Sequence, residues 1–228
     1  MAQKRLGLSM RVVKAQGYNE QRDAISHDWF DLLQSWECTP ILIPNKVINL
    51  ESYLSNLSLD GIILTGGNNL SPQYAGHPEW SMSDTALLRD GVEYQLLDYA
   101  AEGNIPVFGV CRGLQVINTY FGGALTLANP EIHVAKTHSV QFQGTLWEKV
   151  LGKKATVNSY HNYGISRESL AKKIYSFAFD KNGLIEAAVH RSLPIMGVMW
   201  HPEREQPGQL PNKIIFSRLL NEGSFWTA

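Results

Sequence analysis

The sequence predicts an α/β domain with a doubly wound, mostly parallel sheet that is covered by helices on both faces. Three observations support this fold class. Short apolar segments alternate with segments of helical periodicity through the first half of the chain. The segment IPVFGV is apolar throughout, as strands buried on both faces tend to be. An Asn-Gly turn between two later apolar segments predicts an antiparallel hairpin added to the sheet.

The first half of the chain alternates predicted strands with predicted helices. The strands are residues 5–10, 41–44, 60–65 and 105–110. The first helix is indicated by apolar residues at i, i+3, i+4 and i+7, namely Trp29, Leu32, Leu33 and Trp36. A long helix is expected to begin near Ser83 or Asp84, which suit an N-cap, and to stop at Gly103-Asn104. Another helix is predicted over residues 113–120.

The second half supplies the antiparallel addition. Segments 174–180 and 184–190 flank Lys181-Asn182-Gly183 and are predicted to form the hairpin. Residues 195–200 form a further apolar strand, and His138 is expected to begin a strand with the sequence THSVQF. A closing helix is indicated by an apolar stripe of Ile215, Phe216, Leu219 and Leu220.

The composition limits the class of protein. The 228 residues suit one domain over residues 1–228. A net charge of -1, without clustered Lys and Arg, argues against a nucleic-acid partner. Two cysteines, Cys38 and Cys111, cannot build a disulfide framework. Because the first residues lack a signal-peptide core and no apolar run reaches membrane-spanning length, we expect a cytoplasmic chain without membrane contact.

A nucleophile is predicted where the strand of residues 105–110 ends. The sequence Gly109-Val110-Cys111-Arg112-Gly113 has the G-x-nucleophile-x-G pattern of a sharp strand-to-helix turn. Such a turn exposes the central side chain at a helix N-terminus, where the dipole favours a thiolate. The alternative is a buried, inert cysteine, which the two flanking glycines disfavour.

A base and an orienting carboxylate are predicted at a second strand end. In extended chain, side chains two residues apart point the same way, so His201 and Glu203 can face one site. Pro202 favours an extended conformation at His201. An oxyanion formed at the nucleophile needs donors, and the N–H of Arg112 and the Gly66-Gly67 turn can supply them. Taken alone, each motif also fits an ordinary turn.

These motifs together resemble a known family. GVCRGLQ, TGGNN and WHPE are similar to motifs of the class I glutamine amidotransferase-like domains, which have a flavodoxin-like fold. The stretch RDGVEYQLLDYAAEGNIPVFGVCRGLQVIN more closely resembles their hydrolase branch, the γ-glutamyl hydrolases of the peptidase C26 type. The resemblance covers most of the chain and implies hydrolysis of a γ-glutamyl amide through a thioester.

The resemblance also implies roles for individual residues. It implies a triad of Cys111, His201 and Glu203 and an oxyanion hole of Gly67 and Arg112. It implies further substrate-binding positions at Asn68, Gln115, Ser159, Tyr160 and His161, although the loop VNSYHNY departs from the commoner spelling with two adjacent histidines.

The substrate's leaving group stays open. Residues 9–29 are expected to form a loop beside the site that carries Arg11, Tyr18, Glu20 and Arg22. Arginines there, with Arg112, favour an anionic ligand. The segment is similar to a bacterial subgroup that cleaves γ-glutamyl-CDP-amidate in the synthesis of phosphoramidate-modified capsule. A γ-glutamylated polyamine or folate, a glutaminase subunit with a separate synthase, and a non-catalytic relative remain alternatives.

No metal or cofactor is expected from the sequence. His133 and His138 have a spacing that metal ligands can show, but no Cys or carboxylate cluster completes a coordination set, so we expect a structural role for both. The chain has no P-loop and no G-x-G-x-x-G after a strand, so no nucleotide cofactor is implied. The partner is expected to be a small γ-glutamyl substrate, and a homo-oligomer is possible.

Overall fold

A computed structural model describes residues 3–204 and 211–227 of the chain. The strands are β1 (Lys4–Ser9), β2 (Arg11–Lys14), β3 (Gln21–Ala24), β4 (Cys38–Ile43), β5 (Gly61–Leu64), β6 (Val107–Val110), β7 (Thr126–Leu127), β8 (Val134–Phe142), β9 (Lys154–Tyr160), β10 (Tyr163–Gly164), β11 (Ile174–Asp180), β12 (Ile185–His190) and β13 (Ile195–Val198). The helices are α1 (Asp28–Ser35), α2 (Leu50–Ser55), α3 (Pro72–Ala75), α4 (Leu87–Gly103), α5 (Arg112–Tyr120), α6 (Pro130–His133), α7 (Thr145–Leu151) and α8 (Asn212–Glu222). No helix in these ranges is long and apolar enough to cross a membrane.

The central sheet has a parallel half and an antiparallel half. Its strand order is β4-β1-β5-β6-β13-β12-β11-β8-β9. The five strands from β4 to β13 pair in parallel. From β13 onward every pairing is antiparallel. The predicted α/β fold with an antiparallel addition is therefore confirmed, and the addition contains β8 and β9 besides the expected hairpin of β11 and β12.

Helices cover the sheet on both faces. Alternate residues of each buried strand point to opposite sides, so apolar side chains on both faces pack against helices. In β5, Ile63 belongs to one apolar core, and Ile62 and Leu64 belong to the other. The first core takes its helical side chains from α1, α7 and α8. The second takes them from α2, α4 and α5.

The long helix begins later than its sequence predicts. α4 starts at Leu87, and neither Ser83 nor Asp84 is its N-cap. Asp84 instead has a left-handed backbone with a φ of 51°. Its carbonyl accepts the Asn69 N–H at 2.9 Å, and its carboxylate accepts the Asn68 amide at 2.9 Å. The chain therefore uses this polar residue to hold the loop after β5.

Residues 9–29 are not the expected loop. β2 and β3 pair antiparallel within this segment as a separate two-stranded ribbon. The carboxylate of Asp23 fixes the ribbon by accepting the backbone N–H and the side-chain amide of Asn45 at 2.9 and 2.6 Å. Both strands lie at the surface, so they lack the apolar pattern that predicts a buried strand. The expected start of a strand at His138 is also wrong, because β8 begins four residues earlier.

Candidate active site

Cys111 occupies a strained turn between β6 and α5. Its φ of 53° and ψ of -104° are unfavourable for a residue with a side chain. Its N–H donates to the Val198 carbonyl at 2.7 Å, which ties the turn to β13. A Cβ at Gly109 would lie 2.6 Å from the carbonyl carbon of Gly113, and one at Gly113 would overlap the carbonyl oxygen of Leu64. The strand and helix meet this closely only because both positions are glycine.

His201 and Glu203 come together at the end of the neighbouring strand. The imidazole Nδ1 lies 2.6 Å from the Glu203 carboxylate Oε1. Both side chains are almost completely buried. This contact holds the imidazole in one orientation, with Nδ1 toward the carboxylate.

The His201 imidazole is electrostatically linked to Cys111. Burial lowers the pKa of His201, but the charge and hydrogen bonding of Cys111 and then of Glu203 outweigh burial and raise that pKa to about 9. An imidazole in this setting favours the protonated form at neutral pH. The pair can therefore exchange a proton between sulfur and nitrogen.

Asn158 holds the backbone of His201, a role that was not predicted from the sequence. Its Oδ1 accepts the His201 N–H at 2.8 Å, and its Nδ2 donates to the His201 carbonyl at 3.0 Å. The neighbouring Tyr160 packs its ring edge-to-face against the His201 ring at 5.5 Å, and the Arg204 guanidinium lies over the Tyr160 ring. The signal for Asn158 was its place within the predicted substrate loop VNSYHNY.

The Gly66-Gly67 turn abuts Cys111 and His201. A Cβ on Gly66 would lie 2.7 Å from His201 Cε1 and 3.7 Å from Cys111 Cβ. Gly67 has a φ of +130°, which side chains rarely allow. The Arg89 guanidinium fixes the turn by donating to the carbonyls of Thr65 and Gly66 at 2.6 and 3.1 Å. The backbone of this turn can approach a bound ligand because neither residue has a side chain.

Arg89 belongs to a buried network of two cations and two carboxylates. Arg89 pairs with Glu93 at 2.9 Å, and Arg112 pairs with Glu93 and with Asp90. All four residues are inaccessible or nearly so. The expectation that Arg112 contributes to an anion site is therefore wrong for its side chain, because both carboxylates neutralise the guanidinium. Its backbone N–H, at the first position of α5, is a separate group.

Three of the predicted substrate residues make internal contacts. The Ser159 hydroxyl is buried and donates to the His133 carbonyl at 2.9 Å. His161 is buried, and its Nε2 lies 3.8 Å from Glu186. Gln115 is also buried and donates to the Tyr163 carbonyl at 2.7 Å. Tyr160, by contrast, is exposed and lies against His201.

The N-terminal ribbon brings only one of its predicted residues to the site. A cleft beside His201 and Glu203 is lined by residues that include Arg11, Gly66, Gly67 and Arg204. Asn68 holds the ribbon in place, because its amide exchanges hydrogen bonds of 2.8 and 2.9 Å with the backbone of Val12.

Tyr18 and Arg22 are not among the described residues that line this cleft. Arg22 pairs with Glu20 at 2.5 Å and donates to the Tyr18 hydroxyl. These three exposed residues satisfy one another at the tip of the ribbon.

His133 and His138 have partners that the sequence did not indicate. The fold adds His161 and Glu186 to them, and the four side chains form one cluster. The expectation that no carboxylate accompanies these histidines is therefore wrong. Glu186 lies 48 positions beyond His138 in the chain, so local spacing could not reveal it.

Solved structures with this fold are glutamine amidotransferases. A putative GMP synthase component from Thermoplasma acidophilum superposes with a TM-score of 0.66, at 19% identity, over 96% of this chain and 92% of the other. A glutamine amidotransferase from Thermotoga maritima gives 0.61 at 13% identity, over 88% and 76%. The fold is thus that of the class I glutamine amidotransferases.

The family follows from sequence comparison. The model of the peptidase C26 family matches residues 6–203, so the chain belongs to that family. The γ-glutamyl-CDP-amidate hydrolase of Campylobacter jejuni is 32% identical over 205 residues, which cover 88% of this chain and 90% of that protein. A putative glutamine amidotransferase-like protein, YvdE, of Lactococcus lactis is 31% identical over 85% and 86%. The chain is a glutamine amidotransferase-like hydrolase of this family.

Proposed function

We propose that the chain hydrolyses a γ-glutamyl amide through a γ-glutamyl thioester on Cys111. The observation that carries the proposal is the convergence of Cys111, His201 and Glu203 at the ends of two adjacent strands, β6 and β13. The thiol follows a strained turn beside an imidazole whose other nitrogen lies 2.6 Å from a carboxylate. A nucleophile, a base and an orienting group are the parts that covalent acyl transfer requires.

The reaction would use each group in turn. Cys111 Sγ attacks the γ-carbonyl carbon, and the N–H groups of Gly67 and Arg112 stabilise the oxyanion. Protonated His201 gives its proton to the leaving nitrogen as the C–N bond breaks, which leaves a thioester. His201 then takes a proton from water, the hydroxide adds to the thioester, and the proton returns to sulfur as glutamate departs. Glu203 stabilises the imidazolium throughout.

Our proposed substrate is γ-glutamyl-CDP-amidate. The 32% identity to a hydrolase of that name over most of both chains supports it. The cleft also presents the Arg11 guanidinium beside His201, and guanidinium groups match phosphate oxygens. A cationic polyamine would meet this positive charge unfavourably. The enzyme would then release cytidine diphosphoramidate for the modification of a surface polysaccharide such as capsule.

The test is a panel of γ-glutamyl substrates compared by kcat/KM. The panel contains CDP-amidate, a polyamine, a folate and glutamine itself. We expect the CDP-amidate conjugate to give the highest value, and we expect mass spectrometry of the quenched reaction to find a γ-glutamyl group on Cys111. A higher value for the polyamine, or activity on glutamine only when a synthase is added, would favour those alternatives.

The matched control uses the other cysteine. Cys38 is also buried and unpaired but lies on β4, away from the cleft. Cys111→Ala should abolish hydrolysis with the fold retained, and Cys38→Ala should keep it. A folded Cys111→Ala protein with full activity would exclude the thioester.

A further inference from the structure

Five buried titratable residues meet beside the active site and have no part in the proposed reaction. They come from different elements: His133 ends α6, His138 lies in β8, His161 follows β9, Asp180 ends β11 and Glu186 lies in β12. Their side chains are at most 8% exposed. The fold thus brings three imidazoles and two carboxylates together in the interior of the protein.

The spacing within this group is too wide for hydrogen bonds. Glu186 Oε1 lies 3.6 Å from His138 Nε2, 3.8 Å from His161 Nε2 and 3.9 Å from His133 Nδ1. Hydrogen bonds of this type span about 2.7–3.2 Å. One ligand atom from each of the four residues fits within 4.8 Å of all the others. An ion with bonds of about 2.1 Å holds tetrahedral ligand atoms about 3.4 Å apart, so small side-chain shifts would close this set around one.

The buried polar atoms of the group lack partners among the described residues. Both ring nitrogens of His138 and of His161 and both carboxylate oxygens of Glu186 have no hydrogen bond. Ser159 approaches His133 Nδ1 at 3.4 Å but donates its single proton over 2.9 Å to the His133 carbonyl. Buried polar groups without partners are costly, and a central cation would bind one nitrogen of each ring and one oxygen of Glu186.

We propose that four of these side chains bind one zinc-type divalent ion in a tetrahedral site: His133, His138, His161 and Glu186. Three imidazole nitrogens and one carboxylate oxygen form a donor set that suits Zn²⁺. Four protein ligands fill a tetrahedral shell, which is the pattern of a structural ion rather than one that activates water. The nucleophile of the proposed reaction remains Cys111.

Asp180 has the position of an outer partner for a metal-bound histidine. Its Oδ2 lies 3.3 Å from Nε2 of His133, the nitrogen that faces away from Glu186. Its Oδ1 accepts the N–H groups of Asn182 and Leu184 at 2.8 Å each, which fixes the carboxylate. A carboxylate that accepts from the far nitrogen of a ligand histidine orients the ring and strengthens the ligand. With Glu186 and Asp180 ionised, a divalent ion would leave the group neutral.

Skipped residues in two strand pairings set the directions of the ligand side chains. In the pairing of β11 with β12, Ala178 faces Ala187 and Phe179 faces Ile185, so Glu186 has no cross-strand partner and occupies a bulge. In the pairing of β8 with β9, Ala135 is skipped in the same way and has a φ of 52°. Bulges re-aim side chains next to functional sites. Here they adjust the strands that carry Glu186 and His138.

A surface cleft lined by Ile132, Thr137 and Lys181 reaches His138 and provides an entry path for an ion.

Metal content is the direct test. The full chain, purified without an affinity tag and dialysed against metal-free buffer, should contain about one zinc per chain by elemental analysis. His138→Asn and Glu186→Gln should each retain less than about a tenth of it. His27→Asn is the matched control, because His27 is exposed and lies just before α1, far in sequence from the four proposed ligands. It should keep the full amount.

Two measurements keep the test decisive if a variant folds poorly. Wild-type protein stripped with a chelator should bind one Co²⁺ and show the visible bands of a tetrahedral ion. Cys111→Ser should give the same bands, because no sulfur belongs to the site. Stripping should also lower the Tm of the wild type but not that of Glu186→Gln.

The proposal fails if the stripped wild type takes up no stoichiometric zinc in competition with a weak chelator and gains no Tm. It also fails if Glu186→Gln binds zinc as the wild type does, because the ion would then lie elsewhere. A metal-free cluster with a protonated Glu186 would leave Glu186→Gln as stable as the wild type. Failure here would not affect the thioester on Cys111, which has its own readout.

Discussion

Asn158 holds both backbone hydrogen-bonding groups of His201 with one side-chain amide, through bonds of 2.8 and 3.0 Å. His201 follows the last residues of the β13 segment, where ladder hydrogen bonds end. The Asn158 amide therefore replaces a strand neighbour at the residue whose imidazole faces Cys111. This arrangement fixes the position of the His201 backbone, and the contact with Glu203 fixes the orientation of the imidazole ring.

Replacing Asn158 by Ala should impair catalysis more than binding. The change removes the hydrogen bonds of Asn158 to the His201 N–H and carbonyl. The carbonyl keeps the Arg204 N–H at 3.2 Å, so we expect a loss of about 1–3 kcal/mol in the free energy of unfolding. The imidazole would also shift, and a displacement of about 1 Å can lower the rate by about 10²-fold. We expect kcat to fall by about that factor with little change in KM, as steady-state kinetics would show.

The control for this change is Asn56→Ala. Asn56 is an exposed asparagine whose amide donates to Ser52, on the helix α2. It should leave both kinetic constants unaltered. An unchanged kcat in folded Asn158→Ala would mean that Glu203 and packing alone position His201.

Removing the sulfur should lower the pKa of His201. Cys111 is the strongest influence that raises this pKa to about 9, and burial opposes it. In Cys111→Ala the burial remains and the partner's negative charge is lost, so the imidazolium loses its main stabilisation. NMR of ¹⁵N-labelled imidazole should show the midpoint of His201 near 9 in the wild type and clearly lower in the variant. Equal midpoints in the two proteins would show that Glu203 alone sets the value.

A methyl group at Gly66 should disturb the site without unfolding the protein. Its Cβ would lie 2.7 Å from His201 Cε1, so the imidazole must move. We expect Gly66→Ala to lower kcat/KM by about 10²-fold. Gly91→Ala is the matched control, because a Cβ there meets nothing within 4 Å inside α4.

That control should stabilise the protein by about 0.5–1 kcal/mol, because alanine is the better helix former. Chemical denaturation and substrate turnover measured on both variants would separate the two effects. Normal activity of Gly66→Ala would show that the turn can move away from His201.

The buried charge network should be a major determinant of stability. Glu93 pairs with both Arg89 and Arg112, and its removal leaves two buried guanidinium groups with Asp90 as the remaining carboxylate of the network. We expect Glu93→Leu to lower the free energy of unfolding by about 3–5 kcal/mol. Denaturant unfolding followed by circular dichroism would measure the loss.

The surface pair of Arg218 with Glu222 supplies the comparison. It has the same i,i+4 spacing as Arg89 with Glu93 but is partly exposed to solvent. Glu222→Gln, which leaves Arg218 packed on the Phe225 ring, should change stability little, because exposed ion pairs contribute little. A similar small loss in Glu93→Leu would indicate that Asp90 and solvent compensate for the missing carboxylate.

Local signals predicted those parts of the fold whose cause is local. The Asn182-Gly183 turn joins β11 to β12, and the glycines beside Cys111 mark the turn between β6 and α5. Contacts between distant segments could not be predicted from such signals. The Asp84 carboxylate serves the loop at Asn68 instead of capping α4, and Arg112 is neutralised by carboxylates about twenty residues earlier.

In the candidate site, too, local contacts could be predicted from the sequence and contacts between distant segments could not. His201 and Glu203 are two positions apart, and a local turn over residues 201–204, rather than the expected extended chain, brings their side chains together. Asn158 reaches His201 across 43 positions, and the partners of Ser159 and His161 lie on α6 and β12. The sequence identifies which residue types are present, whereas the register of β8, β9 and β12 decides which of them meet.

Because Ala135 is skipped in the pairing of β8 with β9, the number of residues in this segment is as important as their identity. Side chains of a strand alternate between faces, so deleting one residue between His133 and His138 would turn one of the two away from Glu186. Exchanging Lys136, which is exposed, would leave that geometry intact. Insertions and deletions at this point of β8 should therefore be far less tolerated during evolution than substitutions, even though the side chains of Ala135 and Lys136 are exposed.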